Sequence, residues 1–211
     1  HLFLSLVRFN IETTEVEPAA AASWTISPDG TIYTFNLHPD IPWVQHTLGG
    51  ETVQVLDEEG NPRYLTAADF VFGFKRICDP RIAASFPELL GNIVGCSEVL
   101  YYPEPDAIPQ ELLDEIAIEA VSETELIIRL VEPSASFITK LTYPNLVALP
   151  SWAMEKYGDA WANPGLIHTN GLFVIDKWVS GEEVDLLRNS LQIEALQGEG
   201  NLEKVELTIT G

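Results

Sequence analysis

Residues 163–189 carry the strongest local signal in this chain of 211 residues, because turn and strand patterns follow one another there without interruption. Three dipeptides favour tight turns, namely Pro164-Gly165, Asn170-Gly171 and Ser180-Gly181. Between and after these turns, apolar and polar side chains alternate with the period of two that is typical of half-buried strands. The stretch therefore predicts two antiparallel strands joined at Ser180-Gly181.

A second clear signal is a helix that begins after Thr66. The Thr66 hydroxyl is placed to cap a free backbone amide, and Asp69 occupies the acidic position of a capping box. Apolar side chains then recur at helical spacing: Phe70, Val71, Phe74, Ile77 and Cys78. Asp79-Pro80 ends the pattern, since proline cannot continue a helix. The sequence predicts a helix whose main role is to fill the core.

Weaker patterns elsewhere predict further antiparallel strands and one more short helix. The predicted segments are a strand over Thr31–Leu37, a strand pair over 114–121 and 125–131, a helix starting at Pro133-Ser134, and a last strand over 205–210. Strand pairs with short links, mixed with short helices, indicate an α+β (mixed α/β) fold.

The charge balance excludes some classes of partner. The chain has 32 acidic and 11 basic residues and a formal net charge of −21, while 46% of its residues are hydrophobic. So much apolar sequence indicates a folded domain rather than a disordered one. The negative charge would repel both nucleic acid and anionic membrane surfaces, so neither is a predicted partner. No apolar run approaches the roughly 18 residues of a membrane span, so no transmembrane segment is predicted.

The chain carries no motif of enzymatic or metal chemistry. It has no elbow serine, no phosphate-binding glycine loop, no zinc helix motif and no calcium loop. The histidines at 38, 46 and 168 fall in predicted loops without metal-ligand spacing, which favours surface or hydrogen-bonded histidines over a metal site. The sequence thus predicts no catalytic residues, no metal and no cofactor.

The predicted hairpin, together with the preceding residues SWAMEKYGDAW, resembles the family 5 extracellular solute-binding proteins. These are the oligopeptide- and dipeptide-binding components of bacterial ABC importers. The residues that carry the resemblance follow in order: Glu155–Asp159, Trp161, Asn170-Gly171, Trp178, Gly181-Glu182 and Arg188-Asn189. Earlier matches are Leu6–Asn10, Ala22–Trp24 and the helix after Thr66. Residues 44–64 are longer than the usual family link and predict an inserted hairpin.

The resemblance implies part of a type II periplasmic-binding-protein-like fold, with antiparallel hairpins and short helices. Residues 1–150 would form a first-lobe subdomain, and residues 151–211 would form part of the central lobe. A second lobe is expected outside this stretch, and an export signal is expected upstream. The implied location is therefore exported, either periplasmic or anchored at the cell surface.

The implied function is capture of a peptide or similar small solute in an interlobe cleft and its delivery to the permease subunits of an ABC importer. The alternative is an exported interaction or sensor domain that uses the same fold without transport. By position, the resemblance implies ligand-binding roles for Phe86, Tyr143, Asn170, Gly171 and Phe173. The alternative for these residues is structural: the phenylalanines would be core aromatics, and Asn170-Gly171 would be only a turn.

Two cysteines, Cys78 and Cys96, suit either one disulfide or two buried thiols. An exported protein meets oxidising conditions, which favour the bridge. The sequence alone leaves both open, because a disulfide requires a Cα separation that spacing along the chain does not fix.

Overall fold

The structure is a computed structural model that describes residues 2–197 and 202–208. The strands in this part of the chain are β1 (Val7–Phe9), β2 (Val16–Pro18), β3 (Ala21–Ile26), β4 (Ile32–Leu37), β5 (Val44–His46), β6 (Thr52–Gln54), β7 (Ile118–Ala120), β8 (Glu125–Arg129), β9 (His168–Thr169), β10 (Phe173–Val179), β11 (Glu183–Arg188) and β12 (Lys204–Thr208). The α-helices are α1 (Ala67–Cys78), α2 (Cys96–Leu100), α3 (Gln110–Asp114), α4 (Phe137–Lys140), α5 (Ser151–Tyr157) and α6 (Glu194–Gln197). Short 3₁₀ turns lie at Pro80–Ile82, Pro87–Leu90, Pro105–Ala107 and Gly158–Ala162.

The chain forms two compact units. The helix unit comprises residues 5–39 and 66–149, and the hairpin unit comprises residues 2–4, 40–65 and the described residues from 150 onward. The boundary predicted near residue 150 is one of the points where the chain passes from one unit to the other. Residues 40–65, predicted as part of a first-lobe subdomain, belong to the same unit as the residues after 150. The lobe assignment itself stays a prediction.

The core of the helix unit lies between α1 and an antiparallel sheet with the strand order β3-β4-β8-β7. The strand predicted over Thr31–Leu37 is confirmed as β4, whose Tyr33, Phe35 and Leu37 are buried. Helix α1 contributes Phe70 and Phe74 to this core. Burial of these rings is the main stabilising contribution, since each large apolar side chain contributes about 1.5–3 kcal/mol.

The start of α1 has the predicted cap. Asp69 Oδ2 accepts a hydrogen bond from the Thr66 amide at 2.8 Å, and the capping box is complete. The helix ends at Cys78, before Asp79-Pro80. Val71, however, was predicted on the core face and is only half-buried.

Within α1, Gly73 allows a close approach of backbone to backbone. A Cβ atom added at this position would lie 2.4 Å from the carbonyl oxygen of Val147. The segment that contains Val147 is itself fixed, because Val147 forms a bridge with Ser5. In addition, the Leu149 amide donates to the Asp69 carbonyl at 3.2 Å.

A disulfide joins the end of α1 to the start of α2. It links Cys78 and Cys96, whose Cα atoms are 5.3 Å apart, and both residues are fully buried. The chain between them contains two of the short 3₁₀ turns, so the bond closes an otherwise irregular loop.

The hairpin unit is built on the predicted hairpin, which is confirmed as β10 and β11. The third strand, β12, pairs with β11 at Lys204–Thr208, and residues 209 and 210 of the predicted last strand lie outside the described residues. The register of β10 shifts between Ile175 and Lys177, which makes Asp176 a bulge. Val174 and Ile175 precede this shift and point to opposite faces of the strand, yet both are buried, so both faces of β10 are covered at this point.

The insertion predicted over residues 44–64 is a hairpin of β5 and β6, and β5 also pairs with β9. His46 attaches it to the bulge of β10: its Nε2 lies 3.1 Å from Asp176 Oδ1, and its Nδ1 lies 2.8 Å from Thr52 Oγ1. The Gly49 amide also donates to Asp176 Oδ1, at 3.0 Å. His46 and His168 are thus buried strand residues rather than loop residues.

Two segments differ from the prediction. Residue 114 is the last residue of α3 rather than the start of a strand, and β7 begins only at Ile118. The run Gln110–Asp114 consists mostly of good helix formers placed after a proline, and this local preference outweighs the alternation. The helix predicted from Pro133-Ser134 begins later, at Phe137.

Candidate functional site

Two exposed aromatic rings form the most prominent surface feature among the predicted site residues. Phe86 is 59% exposed and Tyr143 is 45% exposed, and their ring centroids lie 6.5 Å apart in an edge-to-face arrangement. Phe86 precedes the 3₁₀ turn Pro87–Leu90, and Tyr143 follows α4. The side chain of Asn145 holds the two loops together by donating to the Ser85 carbonyl at 2.6 Å. The helix unit thus brings together two residues that are 57 positions apart in sequence.

The backbone of Phe86 has the left-handed conformation, with φ 54° and ψ 49°. This region is sterically unfavourable for a bulky L-residue and costs on the order of 1–3 kcal/mol. Ala83 in the same loop is also left-handed, with φ 50°. The loop therefore presents an aromatic ring to solvent at a conformational cost, and such strain is concentrated at functional sites.

The other three predicted site residues lie in the hairpin unit, where Asn170 and Gly171 are buried in a backbone network. Asn170 Oδ1 accepts from the Leu4 amide at 2.8 Å, and the Gly171 amide donates to the Leu2 carbonyl at 2.9 Å. The carbonyls of Asn170 and Gly171 accept from Gln192 Nε2 at 2.8 and 3.1 Å. This network fixes the N-terminal residues against the start of β10.

Phe173 is the first residue of β10, where it is half-buried and paired with Arg188. The ligand-binding role of Asn170, Gly171 and Phe173 stays a prediction. Asn170 has zero exposure in this structure, so its side chain supports the neighbouring backbone rather than an accessible wall.

The hairpin unit also has an aromatic cavity that the sequence did not indicate. It has a volume of about 750 Å³ and lies where the inserted hairpin meets α5. Trp152 and Tyr157 flank the His168 ring, with centroid distances of 4.8 and 5.9 Å. Arg63 Cζ lies 4.6 Å from the Trp152 ring centroid, which is a cation–π contact. The pairing of β5 with β9 brings the inserted hairpin beside His168, far apart in sequence, so no local sequence pattern could have predicted the cavity.

Burial lowers the pKa of His168 from 6.5 to about 4, because desolvation penalises the charged imidazolium. The nearby Leu166 carbonyl favours the charged form and offsets part of this effect, whereas the positive charges of Lys156 and Arg63 add to it. His168 is thus a neutral, buried ring at ordinary pH.

In the part of the chain that the structure describes, no three potential metal-ligating side chains are grouped in a way that could hold a metal ion. Over the same residues, no helix combines the length and the apolar character needed to cross a bilayer.

Comparison with known proteins gives one consistent result. The family model described as bacterial extracellular solute-binding proteins, family 5, middle region, matches residues 15–210. The periplasmic oligopeptide-binding protein OppA of Escherichia coli (strain K12) is 30% identical over 174 residues, which are 82% of this chain and 28% of that protein. The probable deoxycholate-binding periplasmic protein YgiS of the same organism is 29% identical over 176 residues, 83% of this chain and 29% of that protein.

The solved structures that resemble this chain include relatives of the same kind as those found by sequence. The crystal structure of Haemophilus influenzae OppA in complex with RPPGFSPFR superposes with a TM-score of 0.78 at 25% identity, over 98% of this chain and 36% of that one. The unliganded open form of the murein tripeptide-binding protein MppA superposes with a TM-score of 0.78 at 25% sequence identity. The match covers 99% of this chain and 36% of that one. This chain therefore spans about a third of the length of the relatives it matches.

These likenesses confirm the predicted fold, a part of a type II periplasmic-binding-protein-like architecture. The matching family consists of solute-binding proteins rather than enzymes. The family model covers most of the chain, and a relative at 30% identity covers 82% of it. The chain belongs to family 5 of the bacterial extracellular solute-binding proteins.

Proposed function

We propose that this chain is part of the solute-binding subunit of a bacterial ABC importer, which captures a peptide or a similar small solute and delivers it to the permease. The observation that carries the proposal is the exposed pair Phe86 and Tyr143, held by a strained loop in a chain of this family. Relatives named for binding oligopeptides support the choice of a peptide as the solute.

The aromatic pair would form part of an apolar wall for the solute. Aromatic rings offer a large apolar area at a small entropic cost, and binding sites are lined mainly by such side chains. The Tyr143 hydroxyl can donate and accept hydrogen bonds, whereas Phe86 can do neither through its side chain. We therefore expect Phe86 to contact an apolar part of the solute, and Tyr143 to orient a polar group. Among the residues predicted in the hairpin unit, Phe173 is half-buried and would meet a solute through its ring, whereas Asn170 and Gly171 are buried.

The affinity expected for these 211 residues alone is low. In sites of this type most of the ligand surface is enclosed, so one wall supplies only part of the contacts. Each 1.4 kcal/mol of lost contact energy weakens binding tenfold, which takes a micromolar complex to about millimolar after roughly 4 kcal/mol. In this proposal the remaining contacts come from a second lobe outside these residues. The proposal also includes export of the protein to the periplasm or the cell surface.

Isothermal titration calorimetry with a mixed set of di- to pentapeptides tests the proposal. The complete product of the gene should bind peptides in the micromolar range, and the 211-residue chain should bind no tighter than about millimolar. In the complete product, Phe86→Ala and Tyr143→Ala should each weaken binding at least tenfold. Phe9→Ala is the matched control, because Phe9 is a 44% exposed aromatic residue of the same unit outside the pair.

A micromolar signal from the 211-residue chain alone would overturn the two-lobe proposal. Absence of solute binding by the complete product would instead favour the exported interaction or sensor domain. Equal losses in Phe86→Ala and Phe9→Ala would show that the aromatic pair has no particular role.

A further inference from the structure

The aromatic cavity of the hairpin unit is separate from the residues assigned to peptide capture. Its walls come from the inserted hairpin, from α5 and from β9, and none of the five predicted ligand-binding residues lines it. All of its lining residues belong to the hairpin unit, so the cavity lies within one compact unit. Its volume of about 750 Å³ falls within the range of roughly 300–1,000 Å³ that is typical of small-molecule sites.

The charges around this cavity favour neither a cation nor an anion. Arg63 and Lys156 line it together with Asp57, Glu58 and Glu155. A ligand with either net charge would therefore meet side chains of its own sign, and like charges repel. A purely apolar ligand would remove these polar groups from water without replacing their hydrogen bonds, which is unfavourable. The lining thus favours a ligand that is both neutral and polar.

Two amide side chains that line the cavity offer fixed hydrogen-bond acceptors. Gln45 Nε2 donates to the Gly165 carbonyl at 2.7 Å, and Gln54 Nε2 donates to the Arg63 carbonyl at 3.3 Å. Neither Oε1 atom accepts a hydrogen bond from the described residues. Because the nitrogen of each amide is already engaged, each oxygen has a defined position from which it can accept from a ligand.

The same lining supplies donors. Arg63 and Lys156 lie over the rings of Trp152 and Tyr157, at 4.6 and 5.1 Å from the ring centroids. Neither cation forms an ion pair with a carboxylate in the part of the chain that the structure describes. Their N–H groups can therefore donate to a ligand in the cavity.

His168 gives an independent reason to expect an occupant. Its ring lines the cavity and is only 4% exposed, and its Nδ1 is buried without a hydrogen-bond partner among residues 2–197 and 202–208. The Leu166 carbonyl is nearby but does not reach hydrogen-bonding geometry with this atom. A buried polar atom without a partner is unfavourable. A hydroxyl group can satisfy it in either tautomer of the ring, because a hydroxyl both donates and accepts.

We propose that this cavity is a binding site for a neutral sugar of about the size of a disaccharide. Its hydroxyl groups would donate to the Gln45 and Gln54 oxygens and accept from Arg63. Its C–H groups would lie against the Trp152 ring, which offers apolar area. A carboxylate could use only the donors of the cavity, and an ammonium group could use only the acceptors. The site is independent of the proposed peptide function, and either can fail without the other.

Isothermal titration calorimetry of the 211-residue chain with maltose, cellobiose and N,N′-diacetylchitobiose tests the proposal. At least one of these neutral disaccharides should bind at about millimolar affinity or tighter. Gln54→Met removes the amide at nearly constant volume and should weaken that binding at least tenfold, since a ligand hydroxyl loses its acceptor. Gln197→Met is the matched control, because it makes the same change in the same unit outside the cavity. It should bind as tightly as the unchanged chain.

Val53→Trp provides a second test that keeps every hydrogen-bonding group of the cavity. Val53 lines the cavity and is exposed, so the larger side chain should fill part of the cavity without disturbing the fold. This variant should abolish disaccharide binding. Circular dichroism verifies that each variant is folded.

Three results would overturn the proposal. The first is that none of the three disaccharides binds the unchanged chain. The second is disaccharide binding that is unchanged in a folded Gln54→Met or Val53→Trp variant, or lost equally in Gln197→Met. The third is equal or tighter binding of adenosine or of a neutral, capped dipeptide, which would show that the cavity does not select a sugar.

Discussion

Replacement of Gly73 by alanine separates helix propensity from packing, because the two effects predict opposite signs. Alanine is favoured over glycine inside a helix by about 1 kcal/mol, so propensity alone predicts a more stable protein. The structure predicts the reverse. The new Cβ would lie 2.4 Å from the Val147 carbonyl oxygen, whereas real Cβ contacts are essentially never under 3.0 Å. The helix and the Val147 segment would have to separate by at least 0.6 Å (3.0 − 2.4).

The Val147 segment cannot move by that amount without loss of other contacts. Its bridge to Ser5 and the hydrogen bond from the Leu149 amide to the Asp69 carbonyl hold it on both sides. Overpacking of this kind costs about 1–3 kcal/mol, and a clash with fixed backbone belongs near the upper end. After the gain of about 1 kcal/mol from propensity is subtracted, Gly73→Ala should destabilise the protein by about 2 kcal/mol.

Urea denaturation followed by circular dichroism gives the change in the free energy of unfolding. The matched control is the pair Lys75→Ala and Lys75→Gly, whose difference measures the propensity effect in the same helix. Alanine should be the more stable of the two at residue 75 and the less stable at residue 73. If Gly73→Ala is instead as stabilising as the control pair indicates, the close approach to Val147 is wrong.

Three other measurements address the disulfide, the aromatic pair and the buried histidine. Intact mass under denaturing, non-reducing conditions should show Cys78 and Cys96 joined, and their replacement by serine should cost about 3 kcal/mol; two alkylatable thiols would contradict the bridge. Phe86→Ala and Tyr143→Ala should each lower the free energy of unfolding by less than about 1 kcal/mol, since both rings are exposed. Replacement of a core phenylalanine lowers it by about 3–5 kcal/mol, so a loss in that range would show that Phe86 is a core residue. His168 has a lower pKa folded (about 4) than unfolded (6.5), so its contribution to stability is present above pH 6.5 and is lost as the pH falls towards 4. The limit of this contribution is about 3 kcal/mol; His168→Gln should remove this part of the pH dependence in urea denaturation, and an unchanged slope would contradict the burial.

Local signals account for what the sequence predicted correctly. The cap at Thr66 and the turn at Ser180-Gly181 act within a few residues, so α1 and the β10–β11 hairpin could be predicted from the chain alone. The bulge at Asp176 could not, because its hydrogen bonds come from His46 and Gly49, well over 100 positions earlier. The sequence also placed Val71 on the core face, whereas the structure leaves it half-buried, because an apolar residue does not reveal which neighbour it contacts.

The candidate site was predicted only in part. The family resemblance indicated Phe86 and Tyr143 one at a time, but their contact and the left-handed backbone of Phe86 depend on loops that meet in three dimensions. Asn170-Gly171 is a turn signal in the sequence, while its burial depends on residues near both ends of the described chain.

The hydrogen bond between Leu4 and Asn170 has a consequence for the order of folding. It joins residues 166 positions apart, and the chain between them includes the whole of the helix unit. Closure of so long a loop is slow, and it is cheaper once the intervening chain is compact. We therefore expect the helix unit to acquire its hydrogen-exchange protection first after dilution from denaturant. The amides of Asn170 and Gly171 donate to the Leu2 carbonyl, so they should be among the last to become protected.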